Sequence, residues 1–371
     1  MRIVRSGLLR QAVPGTSRAC LTFPSVVALS NGDLLATGRA GSRKDGDDDR
    51  LELSRSRDGG DSWREEPGFA EPPLVGGQWG TLKICYLTET APGQILAAAM
   101  WIDRSSHPGQ PLFNAETEGC LPMAIMLANS SDGGARWTEW RQVEMPAELG
   151  PPSLTAPILR LGDGRLAMSI ETNKDYGDTS PWEQRAVFLY SSDLGLTWSE
   201  PVTVAQDVSG RIFNWDLRSG VAPDGTLASF AWTYDRQDNV YRNIHRRIST
   251  DHGVNWTAAE DIGFADQAAI PAILADGRVV LAWVDRFGSC AIRARLADSV
   301  GSAFDPASEV VVYDHGSSEA AGADTGEALA EMDVWSFGLP SAVALPDGDV
   351  LVVYYAGTAE RMDLHWSRLR P

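Results

Sequence analysis

Ser56-Arg-Asp58-Gly-Gly60-Asp-Ser-Trp63 is one of four copies of an eight-residue pattern, Ser-x-Asp-x-Gly-x-x-Trp. The same residue types hold the same offsets at positions 130–137, 191–198 and 249–256. Self-similarity of this kind is the sequence signature of an array of similar supersecondary units. The repeat therefore indicates the fold class before any single residue is considered.

Each copy follows a short extended run, such as Arg50–Ser54 or Arg185–Tyr190, and precedes another. The pattern thus predicts the turn of a β-hairpin. Its aspartate accepts hydrogen bonds from the turn backbone, its glycine adopts a positive φ, and its tryptophan covers the hairpin with a large apolar face. We interpret these residues as structural and not as a site.

A second repeat, out of phase with the first, consists of an apolar strand, a tight turn ending in glycine, and another apolar strand. Asp-Gly and Asn-Gly between apolar runs favour hairpins, and near-continuous hydrophobicity favours buried strands. The turn glycines of its six copies are Gly32, Gly93, Gly164, Gly225, Gly277 and Gly348.

Two hairpins per period predict a four-stranded antiparallel sheet, and six periods predict an all-β, six-bladed β-propeller. The whole chain, 1–371, is expected to form this single domain. The sixth period stops after its third strand, so the N-terminal run 3–12 is predicted to supply the outer strand and close the ring. The fifth period carries only a degenerate turn, at 298–304.

The net charge of −18 argues against nucleic acid or an anionic membrane as partner. No apolar run approaches membrane-spanning length, and the N-terminal residues, interrupted by arginines, lack a signal-peptide core. Cys20, Cys85, Cys120 and Cys290 show no metal or disulfide spacing, and the histidines show no metal-site spacing. We expect a cytoplasmic protein that acts on a small carbohydrate without metal or organic cofactor.

The boxes, their position between third and fourth strands, and the six periods together resemble the sialidase (neuraminidase) superfamily, where the pattern is called the Asp-box or BNR repeat. The resemblance covers nearly the whole chain. It implies that the boxes lie on the face opposite the active site. It also implies that the chemistry lies on loops entering the first strand and joining the second to the third.

Several sialidase signature residues are replaced in this chain. The arginine that grips the sugar carboxylate in the first period is Thr22, and Ala231 and Trp232 stand where a second arginine is expected. The nucleophilic tyrosine maps near Leu339 and its partner glutamate near Tyr355. Because an anion clamp needs guanidinium groups, we predict a sialidase-like fold without sialidase chemistry.

The predicted catalytic pair is Asp45 and Asp216. The resemblance places the acid/base aspartate in the loop 39–50, at Asp45 with Asp47 as the alternative, and it places Asp216 where the family has a glutamate. Glycoside cleavage commonly uses two carboxylates across the scissile bond. Strand alternation is expected to put Asp216 and Arg218 on one face and Trp215 on the other. The residues expected to shape the sugar site are Arg39, Arg43, Asp47, Trp215, Arg218, Trp232, Asp285, Trp335 and Tyr355.

Aromatic residues near the same face favour a carbohydrate, because pyranose rings stack on flat apolar surfaces. About half of them are expected to fill gaps between blades instead. The set comprises Trp79, Trp101, Trp182, Trp215, Trp232, Trp283, Trp335, Tyr354 and Tyr355. Further acids predicted for these loops are Asp103, Glu171, Asp235, Asp285 and Asp333.

The predicted function is an exo-acting glycoside hydrolase for a non-sialic sugar in a small oligosaccharide or glycoside. Two alternatives stay open. One is an oligosaccharide lyase with His107 or His315 as base, and the other is a propeller that binds carbohydrate without turnover. The insert 317–332 is interpreted as a candidate lid. The sugar, the stereochemistry and the oligomeric state are not determined by the sequence.

Overall fold

The computed structural model describes residues 1–316, 325–326, 329, 335–358 and 360–371. Within these residues the chain forms 27 β-strands and one three-residue 3-10 turn, Ala147–Leu149. Strand pairs within the sheets are antiparallel, apart from a parallel bridge between Cys20 and Met362. The predicted all-β class is therefore confirmed. Most of the candidate lid, 317–332, lies outside the described residues.

The largest sheet has eight strands and contains both ends of the chain. Its strands are β1 (Arg2–Arg10), β2 (Cys20–Ala28), β3 (Leu34–Gly41), β4 (Arg50–Ser56), β5 (Arg64–Glu66), β25 (Phe337–Ala344), β26 (Val350–Thr358) and β27 (Arg361–Arg370). β1 pairs antiparallel with β27, from Arg2 opposite Arg370 to Arg10 opposite Leu364. The N-terminal run thus forms the strand pair that the sequence predicts for it.

Four more sheets follow one another along the chain. The second contains β6 (Gly80–Ala91), β7 (Gln94–Asp103), β8 (Met123–Ser130) and β9 (Arg141–Gln142). The third contains β10 (Ser153–Leu154), β11 (Leu159–Arg160), β12 (Leu166–Glu171), β13 (Arg185–Ser191) and β14 (Val202–Gln206). The fourth contains β15 (Ile212–Val221), β16 (Leu227–Asp235), β17 (Val240–Tyr241), β18 (His245–Ser249) and β19 (Glu260–Asp261). The fifth contains β20 (Gln267–Ala268), β21 (Ala272–Ile273), β22 (Val279–Asp285), β23 (Ala291–Ala297) and β24 (Asp305–Asp314).

The four Ser-x-Asp-x-Gly-x-x-Trp segments join β4 to β5, β8 to β9, β13 to β14 and β18 to β19 in hairpins, as predicted. In the first copy, Ser56 Oγ donates to Asp58 Oδ1 at 2.7 Å and accepts from Gly60 N at 2.8 Å. Trp63 Nε1 donates to Gly60 O at 3.0 Å. The polar groups of the pattern are thus used within their own turn, which is a structural role.

The glycine turns of the second repeat also form hairpins, between β2 and β3, β6 and β7, β11 and β12, β15 and β16, β21 and β22, and β25 and β26. Their six glycines all have a positive φ, a conformation that side chains other than glycine rarely adopt.

Apolar side chains from consecutive sheets fill the space between them. Leu35 and Leu53 of the first sheet share one buried cluster with Leu82, Ala97 and Met126 of the second. Similar clusters join the second sheet to the third, the third to the fourth, and the fourth to the fifth. The core is thus divided among the sheet interfaces, and polar residues at strand ends can meet in a cavity between the sheets.

Candidate functional site

Three strands carry an irregularity near one end, and the irregular residues face one cavity. β2, β15 and β25 each shift register there, and in each a residue other than glycine has a positive φ. These residues are Phe23 (51°), Asp216 (47°) and Leu339 (43°), and all three line a cavity of about 140 Å³. β-Bulges and strained φ values occur preferentially next to functional sites, where they re-aim side chains. The cavity is therefore the candidate functional site.

Glu171, the last residue of β12, contributes a buried carboxyl group to this cavity. Its Oε1 accepts a hydrogen bond from Leu217 N at 2.9 Å. Burial, together with the negative charge of Asp216, raises the pKa of the Glu171 carboxyl to about 8. Glu171 therefore holds its proton at neutral pH and can act as an acid.

Asp216 is held differently from Glu171. Its Oδ1 lies 3.3 Å from Arg218 Nη2, and its Oδ2 accepts a hydrogen bond from Gln267 Nε2. The side chain is 20% exposed, so it faces the open part of the site. A guanidinium and an amide donor orient a carboxylate. Two carboxyl groups in unlike environments thus meet in one cavity.

Arg218 is fixed by a second set of contacts. Its Nη1 donates to Tyr86 Oη at 2.6 Å, and Tyr86 Oη donates to Thr155 O at 2.9 Å. Tyr86 and Arg218 are both buried. These hydrogen bonds link β15 to β6 and hold the Arg218 guanidinium beside Asp216.

The expectation that Trp215 lies on the opposite face from Asp216 and Arg218 is wrong. All three residues line the cavity. The register shift between Trp215 and Arg218 breaks the alternation, and Leu217 is the side chain that turns into the core. A bulge adds a residue to one strand, so alternation does not carry through it.

Asp45 lies next to the cavity-lining residue Lys83, in a buried cluster of charges. Lys83 Nζ donates to Asp45 Oδ1 at 2.7 Å, and Arg104 Nη2 donates to the same oxygen. Although burial acts to raise it, the charges of Lys83 and Arg104 hold the pKa of Asp45 below its ordinary value. The cavity lining includes Lys83 but not Asp45. The acid/base role of Asp45 stays a prediction.

The aromatic residues divide into two groups. Trp182, Trp215, Trp232, Trp335 and Tyr355 line the cavity, with ring centroids 5.7 Å apart for Trp215–Trp232 and 5.6 Å apart for Trp232–Trp335. The others lie elsewhere: Trp101, Trp283 and Tyr354 belong to core clusters, and Trp79 is 45% exposed.

Four predicted sugar-site residues, Arg39, Arg43, Asp47 and Asp285, are not part of the cavity lining. Arg39 is fully buried and donates to the carbonyl oxygens of Arg43 and Lys44, which shapes the loop after β3. Arg43 is exposed, and Asp47 lines a separate groove with Trp79. Asp285 accepts hydrogen bonds from the backbone of its own turn. Their roles toward a substrate stay predictions.

The two histidines considered for lyase chemistry also lie outside the lining. The His107 ring packs on Tyr176 with centroids 5.0 Å apart. His315 lies between Tyr313 Oη and Ser336 Oγ, at 3.3 and 3.2 Å. Asp333, another predicted acid, lies outside the described residues.

Sequence reasoning missed the full importance of Glu171 and did not select Lys83, Tyr86 or Gln267. Lys83 had a signal, because a lysine between Leu82 and Ile84 in an apolar strand is unusual. No sequence signal pointed to Gln267, because its contact with Asp216 joins two different sheets.

Among the described residues, no group of histidine, cysteine, aspartate and glutamate is arranged to hold a metal ion. In the same part of the chain, no helix has the length and apolar character needed to cross a membrane.

The sequence matches no family model and no curated protein. Solved structures do match. A protein of unknown function from Dyadobacter fermentans aligns with a TM-score of 0.75 and 22% identity, over 100% of this chain and 98% of that one. A leech intramolecular trans-sialidase, complexed with 2,7-anhydro-Neu5Ac, aligns at 0.65 and 15%, over 99% and 70%. An intramolecular trans-sialidase from Ruminococcus gnavus, in complex with oseltamivir carboxylate, aligns at 0.64 and 13%, over 98% and 96%.

The chain has a sialidase-like fold. At these identities the likeness extends to the fold alone, because one fold hosts many functions. The activity of this protein therefore depends on the residues of its own cavity.

Proposed function

We propose that the protein is an exo-acting glycoside hydrolase for a non-sialic sugar in a small oligosaccharide or glycoside. The observation that carries the proposal is the buried Glu171 carboxyl beside Asp216 in a tryptophan-lined cavity, where burial and the charge of Asp216 raise the pKa of Glu171 to about 8. Pairs of carboxyl groups whose environments separate their pKa values are typical of glycoside cleavage.

In this mechanism Glu171 is the general acid. It donates its proton to the glycosidic oxygen as the bond from that oxygen to the anomeric carbon breaks. Asp216 faces the positive charge that develops on the sugar and either attacks the anomeric carbon or activates the water that does. Arg218 and Gln267 hold its carboxylate in place. In this mechanism Asp45, which the sequence analysis predicts as the acid, instead holds Lys83 at the cavity wall.

Three observations support a substrate other than a sialic acid. Thr22, at the position of the family's first arginine, accepts a hydrogen bond from Arg39 at 3.2 Å and does not line the cavity. Trp232 and Leu339 line the cavity with apolar surface. Arg218, the arginine of the described lining, is already engaged by Tyr86 and Asp216. A bidentate clamp for a substrate carboxylate needs free guanidinium edges.

The small cavity supports an exo-acting enzyme. Its volume of about 140 Å³ is well below the roughly 300–1,000 Å³ of sites for drug-sized ligands. One sugar ring is the occupant that such a volume favours.

The proposal includes the architecture that the repeats predict. The strands form one eight-stranded sheet, one four-stranded sheet and three five-stranded sheets, and in each five-stranded sheet two short strands pair with the same neighbour. With the eight-stranded sheet counted as two units and β1 paired to β27, this grouping supports a single-domain, six-bladed β-propeller closed by its N-terminal strand. Cys20, Cys85, Cys120 and Cys290 are free and buried. Unpaired thiols support the cytoplasmic location that we include in the proposal.

The test is hydrolysis of a panel of 4-nitrophenyl glycosides, with neutral sugars and a sialoside in parallel. We expect release of nitrophenol from a neutral member and none from the sialoside. Glu171→Gln and Asp216→Asn should each lower kcat by about 10²–10⁴. Asp224→Asn, in an exposed turn, is the matched control and should keep full activity. Asp45→Asn decides between the two acids, because a loss as large as that of Glu171→Gln would return the acid role to Asp45.

The alternatives predict different outcomes. A lyase would form a product that absorbs in the near ultraviolet, without net uptake of water. A binding protein would raise its Tm with sugar and leave the sugar unchanged after long incubation. Either result would replace the hydrolase proposal.

A further inference from the structure

The cavity lining contains buried polar atoms that the protein itself leaves without a partner. In the described part of the chain, Thr155 Oγ1, Gln267 Oε1 and Trp215 Nε1 are buried and have no hydrogen-bond partner. Buried polar atoms are nearly always hydrogen-bonded, so an exception at the wall of a cavity is a candidate contact for a ligand. The amide oxygen needs a donor and the indole nitrogen needs an acceptor, and a hydroxyl group can be both. A carboxylate can only accept.

Thr155 lies beside the proposed general acid. Burial is the largest influence on the pKa of Glu171 and raises it, and the side chain of Thr155 acts in the opposite direction. The two side chains are thus close neighbours, although no hydrogen bond of normal geometry joins them. Thr155 is 7% exposed and lines the cavity. Its hydroxyl group is therefore available to a ligand close to the group that would protonate the scissile bond.

The backbone of Thr155 is tied to the other carboxyl group of the site. Thr155 O accepts a hydrogen bond from Tyr86 Oη at 2.9 Å, and Tyr86 Oη accepts one from Arg218 Nη1 at 2.6 Å. Arg218 Nη2 in turn lies 3.3 Å from Asp216 Oδ1. Thr155 therefore has a fixed position relative to both Glu171 and Asp216. A group that is already fixed loses little further entropy when it binds a ligand.

We infer that Thr155 binds a hydroxyl group of the sugar and is a specificity-determining residue of the proposed hydrolase. The threonine hydroxyl can donate to the substrate oxygen or accept from it, so the contact gives a buried group the partner that it lacks. This inference deepens the proposed function and rests on it. A substrate without that hydroxyl leaves Thr155 unpartnered, and Thr155→Val leaves the substrate hydroxyl unpartnered. Either loss corresponds to about a tenfold to hundredfold decrease in kcat/KM.

A cycle that combines one residue with one substrate hydroxyl tests the inference. The substrates are the neutral 4-nitrophenyl glycoside that is hydrolysed best and its derivatives that each lack one hydroxyl group, assayed with wild type and Thr155→Val. With wild type, we expect kcat/KM of at least one derivative to be about tenfold or more below that of the parent. With Thr155→Val, the same derivative and the parent should be about equal, because neither contact can form.

The intrinsic reactivity of each substrate is common to both enzymes and cancels in this comparison. The opposing result is a loss by the same factor for the parent and for every derivative. Such a uniform loss is expected if Thr155 acts only through Glu171. It would overturn the inference and leave the hydrolase proposal intact.

Stability separates substrate binding from a structural role. Because Thr155 Oγ1 has no partner, Thr155→Val removes an unpaired buried hydroxyl and should leave Tm unchanged or higher. Thr88→Val is the matched control, since Thr88 on β6 donates to Ile158 O at 2.7 Å and does not line the cavity. The control should lower Tm and keep the wild-type kcat/KM for every substrate. A Tm that falls further in Thr155→Val than in Thr88→Val, or a Thr155→Val chain that does not fold, would assign Thr155 a structural role and overturn the inference. Thr155→Ser keeps the hydroxyl group and should keep the wild-type ratio of parent to derivative.

Free sugars give a readout without turnover. If no glycoside is hydrolysed, the proposed function fails, and the shift of Tm decides the inference alone, since a ligand that binds the folded state stabilises it. The probes are glucose, galactose and mannose with their 2-, 3-, 4- and 6-deoxy derivatives. A parent sugar that raises Tm more than one of its derivatives does in wild type, but not in Thr155→Val, supports the inference. The same shifts in both proteins, or no shift with any sugar, would overturn it.

Discussion

Glu171 should make the stability of this protein depend on pH in a way that one substitution removes. The ordinary pKa of the glutamate carboxyl, 4.5, applies to the unfolded chain, and in the folded chain it is about 8. Between these two pH values the folded state binds the additional proton. The stability contributed by this group is therefore fully present below 4.5 and is lost as the pH rises through 8. At about 1.4 kcal/mol per pH unit, this interval amounts to roughly 5 kcal/mol.

Glu171→Gln keeps an oxygen that can accept from Leu217 N but has no carboxyl proton to lose. The assay is urea unfolding of wild type and variant at about pH 5 and about pH 9. We expect the wild type to lose roughly 5 kcal/mol more than the variant between these conditions. Titrating groups that do not interact with Glu171, such as Asp266 with a pKa raised to about 7 by burial, are common to both proteins and cancel in the difference.

Glu139→Gln, at an exposed position, is the control and should behave like wild type. A difference between wild type and Glu171→Gln below about 1 kcal/mol would show that Glu171 is not held protonated by the fold. It would also remove the general acid from the proposed mechanism.

Three substitutions test contacts that stabilise the fold, one beside the site and two elsewhere. Tyr86→Phe leaves Arg218 Nη1 and Thr155 O without their partner and should lower the free energy of unfolding by about 1–3 kcal/mol. Tyr190→Phe, which loses one neutral bond to Gly253 O, is the comparison and should cost about 1 kcal/mol; equal losses would contradict a special role for Arg218. Leu194→Gly should raise the free energy of unfolding by about 0.5–1 kcal/mol, because Leu194 is 66% exposed with a φ of 58° where the first two copies of the turn have glycine. Urea titration checks all three, and a destabilised Leu194→Gly would refute the strain argument.

The hairpins could be predicted from the sequence because their causes are local. A serine, an aspartate and a glycine at fixed offsets satisfy the backbone of their own turn, as Ser56, Asp58 and Gly60 do. The pairing of β1 with β27 was predictable from the repeat count. The last period lacked its outer strand, and the N-terminal run was an extended segment that belonged to no other period. The hairpins therefore need no knowledge of distant neighbours, whereas the β1–β27 pair joins distant residues and follows from the number of strands in each period.

The candidate site was predicted in part. Counting from a repeat glycine gives the end of a strand, and six residues selected in this way or from the adjoining loops line one cavity: Asp216, Arg218, Trp215, Trp232, Trp335 and Tyr355. Their roles toward a substrate stay predictions. Four other residues were selected because they are charged and lie near the same face, and they do not line the cavity: Arg39, Arg43, Asp47 and Asp285. Charge alone does not indicate whether a side chain points into the cavity.

The repeats by themselves thus determined the strands, their order and the residues at the strand ends. Only the tertiary structure decided which of those residues act together. The bulge at Asp216 places Trp215 and Arg218 in the same cavity. Burial between the sheets raises the pKa of Glu171, so that its carboxyl group can act as an acid. Turn geometry depends on a few neighbouring residues, whereas a pKa depends on the water and charge that every surrounding sheet removes or supplies.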